Sequence, residues 1–196
     1  QDQDLWSDGL GCLTYLHSRN ISHREPTFKI PIDALRRSNS PYLLKYCLYR
    51  PTASATSMKY AASELKVSTG SCGDQACNNG RACADLRLFV PPPVHASRDE
   101  CHAYNLTTRN YFAFLMARPL VGTQLSTTLT DLWRRIQLWS PNASSELYEY
   151  CRAQGYTDVT GNPRLAVAML ALATEARWQA VWVDAFAHCV GMQSQL

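Results

Sequence analysis

Long runs of one charge, long apolar runs and the short motifs of catalysis are all scarce in this 196-residue chain. Basic residues never run beyond the pairs Arg36-Arg37 and Arg134-Arg135, and 19 Lys+Arg face 16 Asp+Glu for a net charge of +3. Nucleic-acid binding by phosphate neutralisation needs a denser basic patch, so no DNA partner is expected. The longest purely apolar run, Leu165 to Ala173, has nine residues, about half of what a membrane-crossing helix requires, so no membrane insertion is expected. There is no G-x-S-x-G elbow, no H-E-x-x-H and no phosphate-cradling glycine loop, and His17, His23, His95, His102 and His188 lack metal-ligand spacing. The expectation is therefore no cofactor and no metal.

What is present describes a folded domain. With 46% apolar and 18% charged residues the chain is neither a disordered tail nor a collagen-like polymer. At 22.0 kDa it should bury roughly 70% of its unfolded surface, enough for a core of its own. The chain reads as a single domain over 1–196, with lobes at 1–90 and 94–196 separated by Pro91-Pro92-Pro93.

Eight cysteines (Cys12, Cys47, Cys72, Cys77, Cys83, Cys101, Cys151 and Cys189) make an even set without a C-x2-C knuckle, which reads as four disulfides rather than a metal site. Eight cysteines allow 105 pairings, and spacing does not choose among them. Cys151 and Cys189, on separate predicted helices, could bridge each other, Cys101 or Cys12. The sequons at Asn20, Asn105 and Asn142 add N-glycosylation as an expectation. The polar opening Gln1-Asp2-Gln3-Asp4 reads as a mature N-terminus left after signal-peptide removal. Together these features point to a secreted, extracellular glycoprotein.

The patterning predicts an α+β fold. Its N-terminal part is expected to be disulfide-stapled with short strands, and its C-terminal part helical. Tyr42 to Arg50 alternates between Pro41 and Pro51 and predicts a strand; 56–67 predicts a short helix, and the Gly/Asn/Cys-rich 70–84 a stapled loop. Leu86, Leu88 and Val90 alternate as a second strand ended by the prolines. The apolar run Tyr111 to Ala117 suits a buried strand, with a helix still open. Leu129, Leu132, Trp133 and Ile136 share a helical face, with Thr128 and Asp131 resembling a capping box. Ser140-Pro141 marks a further helix start, and Gly161-Asn162-Pro163 reads as a turn. From Arg164 to about Val190 nothing breaks the pattern, which predicts one long buried helix over about 164–190.

Along such a helix Arg177, Asp184 and His188 fall on one stripe, with Asp184 and His188 at i,i+4. Chemically the stripe could orient an imidazole for proton transfer; as plain structure it is an ion pair near a helix C-terminus. On adjoining predicted helices lie Trp133, Trp139, Tyr148 and Tyr150. Trp139, near a helix end and the Asn142 sequon, is the candidate for an interface.

The segment 165–178, L-A-V-A-M-L-A-L-A-T-E-A-R-W, resembles the active-site helix of ribosome-inactivating proteins, in which an apolar run leads into Ser/Thr-Glu-Ala-x-Arg-aromatic. The resemblance covers under a fifth of the chain, and the family has one more residue between Glu and Arg. It implies an RNA N-glycosidase in which Glu175 stabilises charge developing on the ribose and Arg177 polarises or protonates the departing adenine.

Two functions follow. The leading one is a disulfide-stabilised secreted protein that binds a protein partner such as a receptor, ligand or host factor, alone or as a subunit of a larger assembly, without catalysis. The alternative is a secreted enzyme using Glu175 and Arg177, or Asp184 and His188.

Overall fold

The computed structural model describes residues 2–21, 24–49 and 86–192. The fold is mixed α+β, with a small four-stranded sheet and mostly helices. Two compact units divide the chain, Gln1–Cys101 and His102–Leu196.

The first unit is built on a sheet of order β2-β1-β4-β3. Strand β1 (Gly11–Tyr15) pairs antiparallel with β2 (Phe28–Pro31), placing Cys12 opposite Ile30, and parallel with β4 (Arg87–Phe89), placing Thr14 opposite Leu88. The short β3 (Leu48–Tyr49) runs antiparallel along β4. Gly11 suits the close approach of β1 to β2, because a Cβ there would stand 3.0 Å from the Ile30 carbonyl oxygen. The expected alternation on β4 is present: Leu86, Leu88 and Val90 are buried while Arg87 is exposed. Helix α1 (Ile32–Arg37) follows β2.

The strand expected over 42–50 is corrected. Leu43–Cys47 is a π-helical turn, and only Leu48–Tyr49 is extended. Ser40 caps this turn, its hydroxyl accepting from the Leu43 N–H at 3.2 Å and its carbonyl from the Leu44 N–H at 3.0 Å. Ser40-Pro41 is an N-cap followed by a proline at the first helical position, and that local signal overrides the alternation. The helix expected over 56–67 and the loop at 70–84 lie outside the described residues.

Helix α2 (Arg98–Leu115) begins with a reciprocal cap, Ser97 N–H to Glu100 Oε2 at 2.7 Å and Glu100 N–H to Ser97 Oγ at 3.3 Å. The Ser97 N–H foremost, and the Ser97 hydroxyl after it, hold the Glu100 carboxyl below its ordinary range by hydrogen bonding to the carboxylate. The strand reading of Tyr111 to Ala117 is corrected by this helix, in which every residue from Thr108 to Phe114 is buried. An apolar run buried on all sides carries no periodicity by which strand and helix differ.

The second unit continues with α3 (Leu125–Trp139), a single 3-10 turn (Pro141–Ala143), α4 (Glu146–Ala153), α5 (Pro163–Ala176) and α6 (Gln179–Gly191). Thr128 does not cap α3; it lies inside the helix and donates to the Gln124 carbonyl at 2.8 Å. Ser140 precedes the 3-10 turn without a side-chain cap and hydrogen-bonds the Tyr111 hydroxyl instead. Asn162, expected in a turn, caps α5, accepting from the Leu165 N–H at 3.2 Å, with Pro163 in the first turn.

The single helix over about 164–190 is corrected to two. Arg177 has φ +57° and ψ +38°, a left-handed conformation that ends α5. The Arg177 and Trp178 N–H groups both turn back to the Ala173 carbonyl, the pattern of a left-handed helix cap. The start of this segment is also not buried on every side: Val167 is exposed while Ala166, Ala168 and Met169 are buried.

The disulfide expectation is corrected as well. Cys12, Cys47, Cys101, Cys151 and Cys189 are free thiols; Cys72, Cys77 and Cys83 lie outside the described residues. Cys151 and Cys189 therefore do not bridge α4 to α6. The disulfide-stapled, disulfide-stabilised description is withdrawn, and the expectation of a secreted glycoprotein loses its principal support. Burial pushes the thiol pKa of Cys12 and Cys151 up to about 12 and that of Cys47 to about 11, the last opposed by a hydrogen bond with Tyr42. Such thiols hold almost no thiolate at neutral pH. Maleimide labelling of the native protein at neutral pH is therefore expected to modify half-buried Cys101 first and leave Cys12 and Cys151 untouched until urea unfolds the chain. Disulfide-linked peptides containing Cys12 or Cys151 in a non-reduced digest would contradict this.

Candidate functional site

The α5–α6 corner collects most of the chemistry. Trp178, the residue just past the left-handed turn, packs edge-on against Trp133 of α3 (5.7 Å between centroids) and Tyr148 of α4 (5.8 Å). Beside it Arg134 Nη2 donates to Glu175 Oε1 at 2.6 Å, tying α3 to the last turn of α5. Glu175 is thus engaged in an ion pair between helices, and its hydrogen bond raises the Arg134 pKa further. Arg177 stands outside the helix with an exposed side chain. The stripe expected to join Arg177 with Asp184 and His188 is lost, because the helical arithmetic does not run through a left-handed residue.

Asp184 and His188 do remain neighbours on α6. His188 Nε2 lies 3.9 Å from Asp184 Oδ1, an ion-pair separation rather than the 2.6–3.2 Å of a proton-transfer hydrogen bond. Asp184 also lines a cleft of about 250 Å³ that opens among α4, α5 and α6. Met169, Val159, Val181 and Ala185 give it apolar walls, and Tyr148 and Thr157 contribute hydroxyls.

Helix α6 is apolar well beyond what it buries. Only Ala185 and Cys189 are buried within it, whereas Trp182, Val183, Phe186 and Val190 are 37%, 55%, 45% and 56% exposed. At 100° per residue these four fall within about a 100° arc adjoining the buried face, and no charged residue stands among them. Trp182 and Phe186 stack at 4.9 Å with their planes 8° apart.

Trp139, the expected interface residue, is corrected to a core residue: it is 3% exposed, with Tyr111 packed edge-on at 5.0 Å and the Arg135 guanidinium 4.4 Å over its ring. The three sequons differ in setting. Asn20 is exposed in a turn and Asn142 is exposed in the 3-10 turn, whereas Asn105 sits within α2, its Oδ1 enclosed without a hydrogen-bond partner. In the first unit, Tyr15 and Phe89 stack at 4.9 Å with His17 edge-on to both. The Ser18 carbonyl accepts from His17 Nδ1 at 2.9 Å, and Nε2 is buried with no hydrogen-bond partner. Among the described residues no group of three metal-ligating side chains gathers, and no helix is long and apolar enough to cross a membrane.

Trp178, Trp182 and Phe186 were not singled out by sequence reasoning. Their roles depend on the break at Arg177, since one unbroken helix would have carried all three on a single rod. Residues 144–196, the stretch holding α4, α5 and α6, are similar to a domain of unknown function, DUF8004. No curated protein and no solved structure matches the chain.

The two tryptophans flanking the start of α6 should separate in mutagenesis. Trp178→Ala is expected to destabilise the protein by about 2–4 kcal/mol in urea unfolding, in line with large-to-small changes at packed sites. Trp182→Ser should stay within about 0.5 kcal/mol of wild type, as exposed positions do.

Proposed function

We propose that this protein binds a protein partner through the exposed face of α6, without catalysis of its own. The observation that carries this reading is the charge-free strip of Trp182, Val183, Phe186 and Val190. Apolar side chains left contiguous in water favour association, and exposed aromatics supply much of the energy of protein interfaces at little entropic cost. The near-balanced net charge argues against nucleic acid as the partner, and α6 holds no lysine or arginine to draw the strip to anionic lipid.

Of the enzymatic alternatives, the N-glycosidase reading needs Glu175 and Arg177 together at one substrate. Glu175 is instead committed to Arg134 and Arg177 is turned out of the helix. The binding reading is preferred for that reason.

The test is photo-crosslinking in cells that express the chain, with a photoreactive residue at Val183, at Val190 or, as control, at exposed Gln137 on α3. Adducts of one partner are expected from positions 183 and 190 but not from 137, and should disappear when Trp182→Ser is added to a protein that still folds. Equal adducts from all three positions, or none from 183 and 190, would overturn the reading.

A further inference from the structure

The cleft, lined by the side of α6 that carries Ala180, Val181, Asp184 and Ala185, away from the apolar strip, has a chemistry of its own. Asp184 is the single charged side chain among those lining it, and none of the lining residues is basic. An anionic ligand would meet the Asp184 carboxylate there with no basic residue in the lining to hold it. A purely apolar ligand would leave that carboxylate and the two hydroxyls of Tyr148 and Thr157 without use. A cation on an apolar stem satisfies each part: the stem lies along Met169, Val159 and Val181, and the charge reaches the carboxylate with an aromatic ring nearby. The volume of about 250 Å³ is below the usual size of a drug-like pocket and suits a single side chain.

The start of α6 opposes this in part, since a helix N-terminus carries about half a positive charge. That field fades within the first turn, and Asp184 stands in the second with a full charge. His188 Nε2, 3.9 Å away, stands beside the carboxylate but is not among the residues lining the cleft.

We infer that the cleft takes the cationic end of a lysine or arginine side chain, with Asp184 as its counter-charge. This rests on the reading of α6 as a protein-binding helix and adds to what such a partner presents a basic side chain that reaches the side of α6 away from Trp182 and Phe186.

The inference is tested by NMR titration of the full chain with N-acetyl-lysine N-methylamide and its arginine analogue. N-acetyl-norleucine N-methylamide serves as the uncharged isostere and the glutamate compound as the anionic control. The lysine or arginine compound is expected to give saturable shifts at Val159, Met169 and Ala185 with millimolar affinity. Norleucine should bind about five- to tenfold more weakly, a modest ratio because the Asp184 carboxylate is screened by solvent. Asp184→Asn should bring lysine down to the norleucine level. Equal binding of norleucine and lysine to wild type, or no saturable shift with any probe, would overturn the inference. If the crosslinks from 183 and 190 persist while the probes fail, the cleft assignment falls and the binding face stands. If the probes bind as expected and no crosslink forms, the binding face falls and the cation site stands.

Discussion

The left-handed backbone of Arg177 is the constraint on which the helical unit depends. An L-residue other than glycine gives up about 1–2 kcal/mol in this conformation, so something must hold it there. The return of the Arg177 and Trp178 N–H groups to the Ala173 carbonyl supplies part of the hold. The rest comes from Trp178, wedged between Trp133 and Tyr148, and from the Arg134–Glu175 pair beside it. An apolar stretch that could have been one rod becomes two helices. The first spends its apolar face in the core, through Ala166, Met169, Leu172 and Ala173, and the second keeps half of its own facing water. Both the cleft and the strip proposed for binding follow from that division.

Without disulfides among the described cysteines, order in this unit comes from packing and from polar side chains that fix the segment after α2. Arg109 Nη1 donates to the Pro119 carbonyl at 2.7 Å, and Asn110 exchanges two hydrogen bonds with the Val121 backbone. The Tyr150 hydroxyl donates to the Arg118 carbonyl at 2.6 Å, and Tyr156 accepts from the Leu120 N–H. These bonds pair backbone groups of an irregular segment, work that secondary structure does elsewhere. The Cys12, Cys47 and Cys151 thiols behave in this setting as small apolar core groups.

Elements whose signals are local were legible in the sequence. The alternation of Leu86, Leu88 and Val90 gave β4, the face of Leu129, Leu132 and Ile136 gave α3, and the unbroken stretch from Arg164 gave the start of α5, at Pro163, to the neighbouring residue. Two further local signals were present and decided the structure against longer-range patterns. Ser40-Pro41 winds the segment that alternation assigned to a strand, and Ser97 with Glu100 starts the helix that contains Tyr111 to Ala117. The break at Arg177 has no such signal, because neither glycine nor proline stands there and the turn is held by tertiary contacts of Trp178. For the same reason the exposed apolar strip was hidden. Apolar residues of α6 look the same in sequence whether they face a core or water, and only the fold separates Ala185 and Cys189 from Trp182 and Phe186.

The central claim, that the chain turns left-handed at Arg177 and so separates α5 from α6, is tested most directly by the urea-unfolding free energy of Arg177→Gly. Glycine reaches this conformation without the Cβ clash, and the Arg177 side chain is exposed, so the substitution should raise stability by about 0.5–1 kcal/mol. In an unbroken helix the same change would lower stability by about 1 kcal/mol, and that result would contradict the account.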